Sequence, residues 1–131
     1  MLLEVTDMVR LGKVSRALGQ HGERVAVQYL ESLGFEILER NWRCSHGELD
    51  IVAYEQAEHA LVFVEVKTRS GMGFGSPLES ITYAKARKLY QLAMLWQRER
   101  KRRARTVRVD GVGILLGQDE PQITHIRGIA A

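Results

Sequence analysis

The sequence predicts a mixed α/β fold in which helices cover both faces of a central sheet. Three observations predict it. The patterned segments follow the order helix, three strands, long helix, strand, with a short strand at the end. The run ALVFVEVKTR at 60–69 is apolar in its middle on both faces, which is how a doubly covered central strand reads. The chain has 131 residues, 45% hydrophobic and 27% charged, enough for one soluble domain with its own core.

Each element has its own signal. In residues 1–18, Met8, Leu11, Val14 and Leu18 have helical spacing, and a short helix and a partly ordered leader both fit. Residues 19–131 are taken as the single folded domain. Residues 20–33 predict a helix with the stripe Ala26, Leu30 and Leu33, stopped by Gly34. At 100° per residue Glu23 falls about 20° from Leu30, inside that stripe. A glutamate in a first turn is favoured by the helix dipole, but this does not explain its inward direction. FEILERNWR at 35–43 predicts a strand with Phe35, Ile37 and Glu39 on one side, and Asn41 to Gly47 a turn. GELDIVAYE at 47–55 is the next strand, and EQAEH joins it to the 60–69 strand as a hairpin.

SGMGFGSP at 70–77 is a loop with no nucleotide-binding fingerprint. Residues 79–100 predict the longest helix, with Leu78, Ile81, Leu89, Leu92, Leu95 and Trp96 as its main apolar residues. Lys85 lies in that stripe, four residues from Ile81 and Leu89, and either snorkels to water or reaches the interior. TVRVDGVGILL at 106–116 predicts a strand weakened by Gly111 and Gly113, and 122–129 a final short one. The first three strands can form a meander. The long helix then crosses over, so that the 106–116 strand adds in parallel beside the central one.

Composition narrows the function classes. No apolar run approaches ~18 residues, so no membrane span is expected. The N-terminus carries Glu4 and Asp7 and is a poor signal peptide. One cysteine, Cys44, excludes an internal disulfide and suits a reducing cytoplasm; with His46 it is too few ligands for structural zinc. The net charge is only +3, but RERKRRAR at 98–105 holds six Lys/Arg against one Glu. Such a run suits a polyanion, nucleic acid above all, and equally a solvated helix end whose cations favour the dipole. It would grip phosphates without reading sequence.

The chemistry gathers on the strands. Period-two alternation puts Leu61, Phe63, Glu65, Lys67 and Arg69 on one side of their strand, and Glu48 and Asp50 on one side of theirs. If the strands pair, Asp50 lies beside Glu65 and Lys67. A buried carboxylate without a partner costs several kcal/mol or more, roughly, so these acids need cations. Glu23, Asp50 and Glu65 are hard oxygen ligands of the kind that hold Mg²⁺ or Mn²⁺ with water and substrate phosphate. A lysine two residues past a ligating acid faces the same space, where it can hold or deprotonate water or offset transition-state charge. These parts suit metal-dependent phosphodiester hydrolysis.

The spacing Asp50, fourteen residues, then Glu65-Val66-Lys67 resembles the PD-(D/E)XK nuclease signature. GERVAVQYLESLGFEILERNWR, GELDIVA, VFVEVKTR, GSPLES and Lys85 resemble the YraN-like family of small bacterial proteins, over residues 19–115. The same blocks are similar to archaeal Holliday-junction resolvases. The resemblance implies a restriction-endonuclease-like core in the order α-β-β-β-α-β. It implies an endonuclease acting on DNA, branched or otherwise structured, with Mg²⁺ or Mn²⁺ held by Glu23, Asp50 and Glu65. Asp50, Glu65 and Lys67 would be catalytic. Arg69, Lys85, Arg100, Lys101, Arg102, Arg103 and Arg105 are the expected nucleic-acid contacts. Two cuts in a junction call for two active sites, which fits a homodimer. Leu49 replaces the superfamily's proline before the first acid, and Gly111 and Gly113 follow RVD where apolar residues are usual. A non-catalytic nucleic-acid-binding module and a structural protein with a Glu65–Lys67 ion pair are the competing readings.

Overall fold

The computed structural model describes residues 5–71, 77–117 and 119–129, with side chains from residue 16. Its elements are α1 (Val5–Ser32), β1 (Phe35–Cys44), β2 (Gly47–Glu55), β3 (Ala60–Ser70), α2 (Tyr83–Arg100), β4 (Thr106–Leu116) and β5 (Gln122–Ile126). The sheet is five-stranded in the order β1-β2-β3-β4-β5. Neighbouring strands are antiparallel except β3 and β4, which are parallel. A parallel pair needs a crossover, and α2 supplies it. This is the mixed sheet flanked by helices that the sequence predicts, and it is consistent with a restriction-endonuclease-like fold.

The two faces have separate cores. Ala26 and Leu30 of α1 pack on Phe35, Ile51, Ala53, Val62, Val64, Val112 and Ile114. Leu89, Leu92, Ala93 and Trp96 of α2 pack on Trp42, Leu49, Val52, Leu61, Phe63 and Val109. β3 therefore feeds both layers by strict alternation, as its doubly apolar pattern requires.

Element limits differ from expectation at several points. α1 runs unbroken for 28 residues from Val5, so the spaced apolar residues at 8–18 belong to the same helix rather than to a separate leader. β1 continues to Cys44, leaving only Ser45 and His46 between it and β2; Asn41 lies inside the strand, not in the turn. Its register also shifts between Ile37 and Glu39, so Glu39 turns to the α2 side, where Trp96 Nε1 donates to it at 2.9 Å. α2 begins at Tyr83, because Thr82 Oγ1 accepts from Lys85 N at 3.1 Å and caps the helix there. Leu78, whose spacing joined it to the helix, lies instead in a 3-10 turn at Pro77–Ser80.

That turn explains Gly113. β4 is an interior strand, not a sheet edge. A Cβ at Gly113 would stand 3.0 Å from Leu78 Cγ and 3.3 Å from Pro77 Cβ. The glycine is the space into which the turn packs. Gly73 and Gly75 of the preceding loop, with the start of GSPLES, lie outside the described residues.

Candidate functional site

β2 and β3 bring the acids together. Their ladder ends at Ile51 opposite Val64, so Asp50 and Glu65 stand one step beyond, on adjacent strands. Asp50 Oδ2 accepts from Val66 N at 2.8 Å, which fixes the carboxylate against β3. Glu65 is 6% exposed. Lys67 Nζ and Lys85 Nζ each lie 3.5 Å from Glu65 Oε1. Both are loose ion pairs, but the lysines come from different elements and converge on one oxygen. Lys85 thus reaches the interior site, through Glu65 rather than Glu23.

These groups line a cleft between the β1–β2 turn, β3 and α2. Glu48, Asp50, Glu65, Lys67, Lys85 and Lys88 are its charged walls, and His46, Leu89 and Leu92 complete it. Glu48 also pairs with Arg43 at 2.8 Å on the exposed hairpin.

Glu23 approaches from the other face. It and Asp50 border a second depression with Leu18, Gly19, Val66 and Thr68. Asp50 therefore opens to both sides. It can do so because alternation fails around it: Leu49 and Val52 both pack on the α2 side, while Ile51 packs on the α1 side. α1 comes close because residue 22 is glycine. A Cβ there would fall 1.8 Å from Thr68 Oγ1.

The electrostatics show the strain of gathering acids. Burial pushes the Asp50 carboxyl up to about 7; the Glu65, Glu23 and Glu48 charges add to this, and the Val66 amide opposes it. Burial also raises Glu23, with Arg40 and the Asn41 amide opposing and Glu48 and Glu65 adding. A cation beside these groups would relieve both effects. Among the described residues, no three His, Cys, Asp or Glu side chains already converge as a metal cage. Asp50 and Glu65 facing an open cleft still fit Mg²⁺, which is commonly held by one or two carboxylates with water and phosphate. Glu23 shares the second depression with Asp50 and does not line the cleft that holds Glu65.

The expected nucleic-acid contacts divide. Lys85 is at the cleft. Arg69 is half-buried near the end of β3, level with Leu115 of β4. The basic run lies at the other end of α2, about 22 Å from Lys85 along the axis at 1.5 Å per residue. Within it Arg100 is committed to structure, donating to Glu39 through Nε at 2.9 Å and Nη2 at 2.7 Å. Arg102 stands 5.9 Å from the Tyr54 ring centroid. Lys101 caps the helix with φ 51°, and its side chain, like those of Arg103 and Arg105, is exposed.

Residues 22–114 match the uncharacterised protein family UPF0102. The chain belongs to this family. It is 50% identical over 115 residues to a UPF0102 protein of Mycobacterium sp. (strain KMS), covering 87% of this chain and 85% of the relative. A UPF0102 protein of Mycobacterium bovis (strain BCG) is 46% identical over 116 residues, covering 86% and 91%. The UPF0102 match takes in Glu23, Asp50, Glu65, Lys67 and Lys85, so the whole constellation lies in the family's span. No described helix is long and apolar enough to cross a membrane.

Sequence reading missed a second polar cluster. Asp110 is 0% exposed, yet it accepts from Arg108 Nε (2.7 Å) and Nη2 (3.0 Å) and from Gly128 N (3.0 Å), and it pairs with His125 Nε2 at 2.8 Å. Tyr29 Oη lies 3.0 Å from His125 Nδ1. Arg108 Nη2 reaches Glu55 Oε1 at 2.9 Å as an ion pair without hydrogen-bond alignment, and Arg127 donates to Glu55 Oε2 at 2.6 Å. This cluster knits β2, β4, β5 and α1. The signal available in the sequence was the Arg-x-Asp of RVD, two charges on one face of a strand.

Proposed function

We propose that the protein is a Mg²⁺- or Mn²⁺-dependent endonuclease that hydrolyses phosphodiester bonds in DNA, with branched or structured DNA as its substrate class. The observation that carries this reading is the meeting of Asp50, Glu65 and Lys67 in one cleft, with Lys85 and Lys88 on its wall. Asp50 and Glu65 would hold the metal, and Glu23 would join from α1. When bound, the cation supplies a Lewis acid for the phosphate and a water of lowered pKa. Lys67 stands beside Glu65 and can orient the attacking water or offset charge on the phosphate as it becomes five-coordinate. Water adds its oxygen to phosphorus, one P–O bond breaks, and the leaving oxygen takes a proton. Lys88 with Lys85 would draw the phosphate backbone towards acids that otherwise repel it. The exposed cations Lys101, Arg103 and Arg105, with Arg69 at the end of β3, offer further grip on the duplex. A homodimer would present two such clefts to a junction. The reducing cytoplasm is the compartment proposed.

One observation favours the alternative, a non-catalytic nucleic-acid-binding protein. Lys67 and Lys85 already offset the Glu65 charge, each 3.5 Å from Oε1, with no metal ion required. The test is cleavage of four-way, flapped and linear DNA with Mg²⁺ or Mn²⁺. Cleavage should require metal and fall at least ~100-fold in Asp50→Ala, Glu65→Ala and Lys67→Ala. DNA binding that weakens with salt, with no cleavage of any substrate, would support the alternative.

A further inference from the structure

Asn41 is the unexpected residue beside the site. It sits inside β1 with φ 54°. The other described non-glycine residues with positive φ, His59 and Lys101, end a 3-10 turn and cap a helix, places where that conformation is ordinary. Mid-strand it is not.

The ladder gives its address. Arg40 faces Ile51 and Trp42 faces Leu49, so Asn41 stands across from Asp50. Trp42 and Leu49 both pack on the α2 side. A left-handed residue turns the chain over between them and Arg40, whose charge acts on Glu23 on the α1 side. The same break lets Asp50 open to both faces.

The Asn41 side chain then does what a glycine could not. With its nitrogen toward Glu23 it donates to Oε1 at 3.0 Å and Oε2 at 3.3 Å. That orientation is assigned from hydrogen-bond chemistry, since the reverse sets two oxygens against each other. Gln20, Arg24 and Arg40 line the depression around the pair.

We infer that Asn41 is a positioning residue of the candidate metal site, holding the Glu23 carboxylate so that α1 contributes an acid beside Asp50. This rests on the metal reading proposed above. A left-handed residue there shapes the backbone, and the amide aims the acid. Partners that orient a ligand in this way typically change metal affinity 10–100-fold when removed.

The test is Mn²⁺ binding by the full-length protein, read from the electron paramagnetic resonance of free Mn²⁺, for wild type, Asn41→Gly, Glu23→Gln and the double variant. Glycine keeps the positive φ, so the melting temperature without metal should stay within about 3 °C of wild type. Asn41→Gly should weaken Mn²⁺ binding about tenfold. It should weaken it no further in the Glu23→Gln background, because its effect runs through Glu23. Wild-type affinity in Asn41→Gly, or an equal loss in both backgrounds, overturns the inference and leaves the metal reading standing if Asp50→Ala abolishes binding. Collapse of metal-free stability in Asn41→Gly would mark the residue as purely structural and overturns it too. Wild-type protein that binds no Mn²⁺ overturns both.

Discussion

Asp50 carries the tension of the site. Its proton affinity is raised above that of a free carboxyl, to about 7, by burial and then by Glu65. The folded state therefore binds this proton more tightly than the unfolded chain does. The linked stability is fully present below the unfolded pKa of about 3.9 and is lost as pH rises through about 7. Asp50→Asn removes the charge and keeps the shape, including an oxygen to accept from Val66 N. In metal-free buffer it should stabilise the protein at pH 8 by on the order of a few kcal/mol and change it little at pH 4. Urea midpoints at the two pH values measure this. Equal midpoints for the two proteins at pH 8 would show that the carboxylate is already compensated. At this scale the sequence was informative where chemistry follows a period. Glu65 and Lys67 fall out of alternation by two, and Glu23 out of 100° steps; alternation brings Asp50 beside Glu65 but hides the break at Leu49 that opens it to both faces. Asn41 falls out of neither, although its turn-forming character was plain. A turn residue was expected there, but a left-handed residue within a strand has no periodic signal, and its partner Glu23 comes from a distant helix.

Elements place these residues through close approach. Gly22 lets α1 lie on β3 at Thr68. In a helix a glycine-to-alanine change usually stabilises by up to about 1 kcal/mol. Here the new methyl would meet Thr68 Oγ1 at 1.8 Å and its Cβ and Cγ2 at 2.8 Å. Rotating the hydroxyl away cannot clear Cβ, which is fixed to the β3 backbone, so α1 must shift. Overpacking of this kind costs about 1–3 kcal/mol. Gly22→Ala should therefore lower stability, and Thr68→Ala in the same chain should recover part of the loss. A melting temperature raised by Gly22→Ala would mean that α1 can retreat freely. The sequence showed the type of nearly every element but fewer of their limits. Leu78 and Ile81 continue the apolar spacing of α2, yet Thr82 caps the helix after them, and a capping bond outweighs a pattern. Gly111 and Gly113 read as weakness in a strand, because the turn that fills their space is distant in sequence.

Across the whole molecule, the Asp110 cluster and the candidate Asp50–Glu65 site share no residue. The order of strands was legible, since a long helix between two strands implies a parallel crossover. The Asp110 cluster was not, because Tyr29, Glu55, Arg108, His125 and Arg127 meet only after the sheet has formed. Burial raises the Asp110 carboxyl, but His125, Arg108 and the Gly128 amide outweigh it, and the net shift is downward. Its contribution to stability is present above the unfolded pKa and is lost as pH falls through the lower folded one. Asp110→Asn replaces a charge that faces two Arg108 donors with an amide that can satisfy only part of them. Removing one partner of a buried pair costs about 3–5 kcal/mol. The short strand β5 depends on this cluster through His125, and Gly128 ties the chain beyond it to the same carboxylate. Amide hydrogen exchange in β5 should therefore accelerate first, and the denaturant midpoint should fall, with the gap to wild type narrowing below about pH 4. If the Asp50–Glu65 cleft holds Mn²⁺ as proposed, that binding should not change at neutral pH while the variant remains folded, since Asp110 does not line the cleft. Loss of metal binding in a folded Asp110→Asn protein would show that the two clusters act as one unit. An unchanged midpoint would show that the charge can be exchanged for an amide without cost.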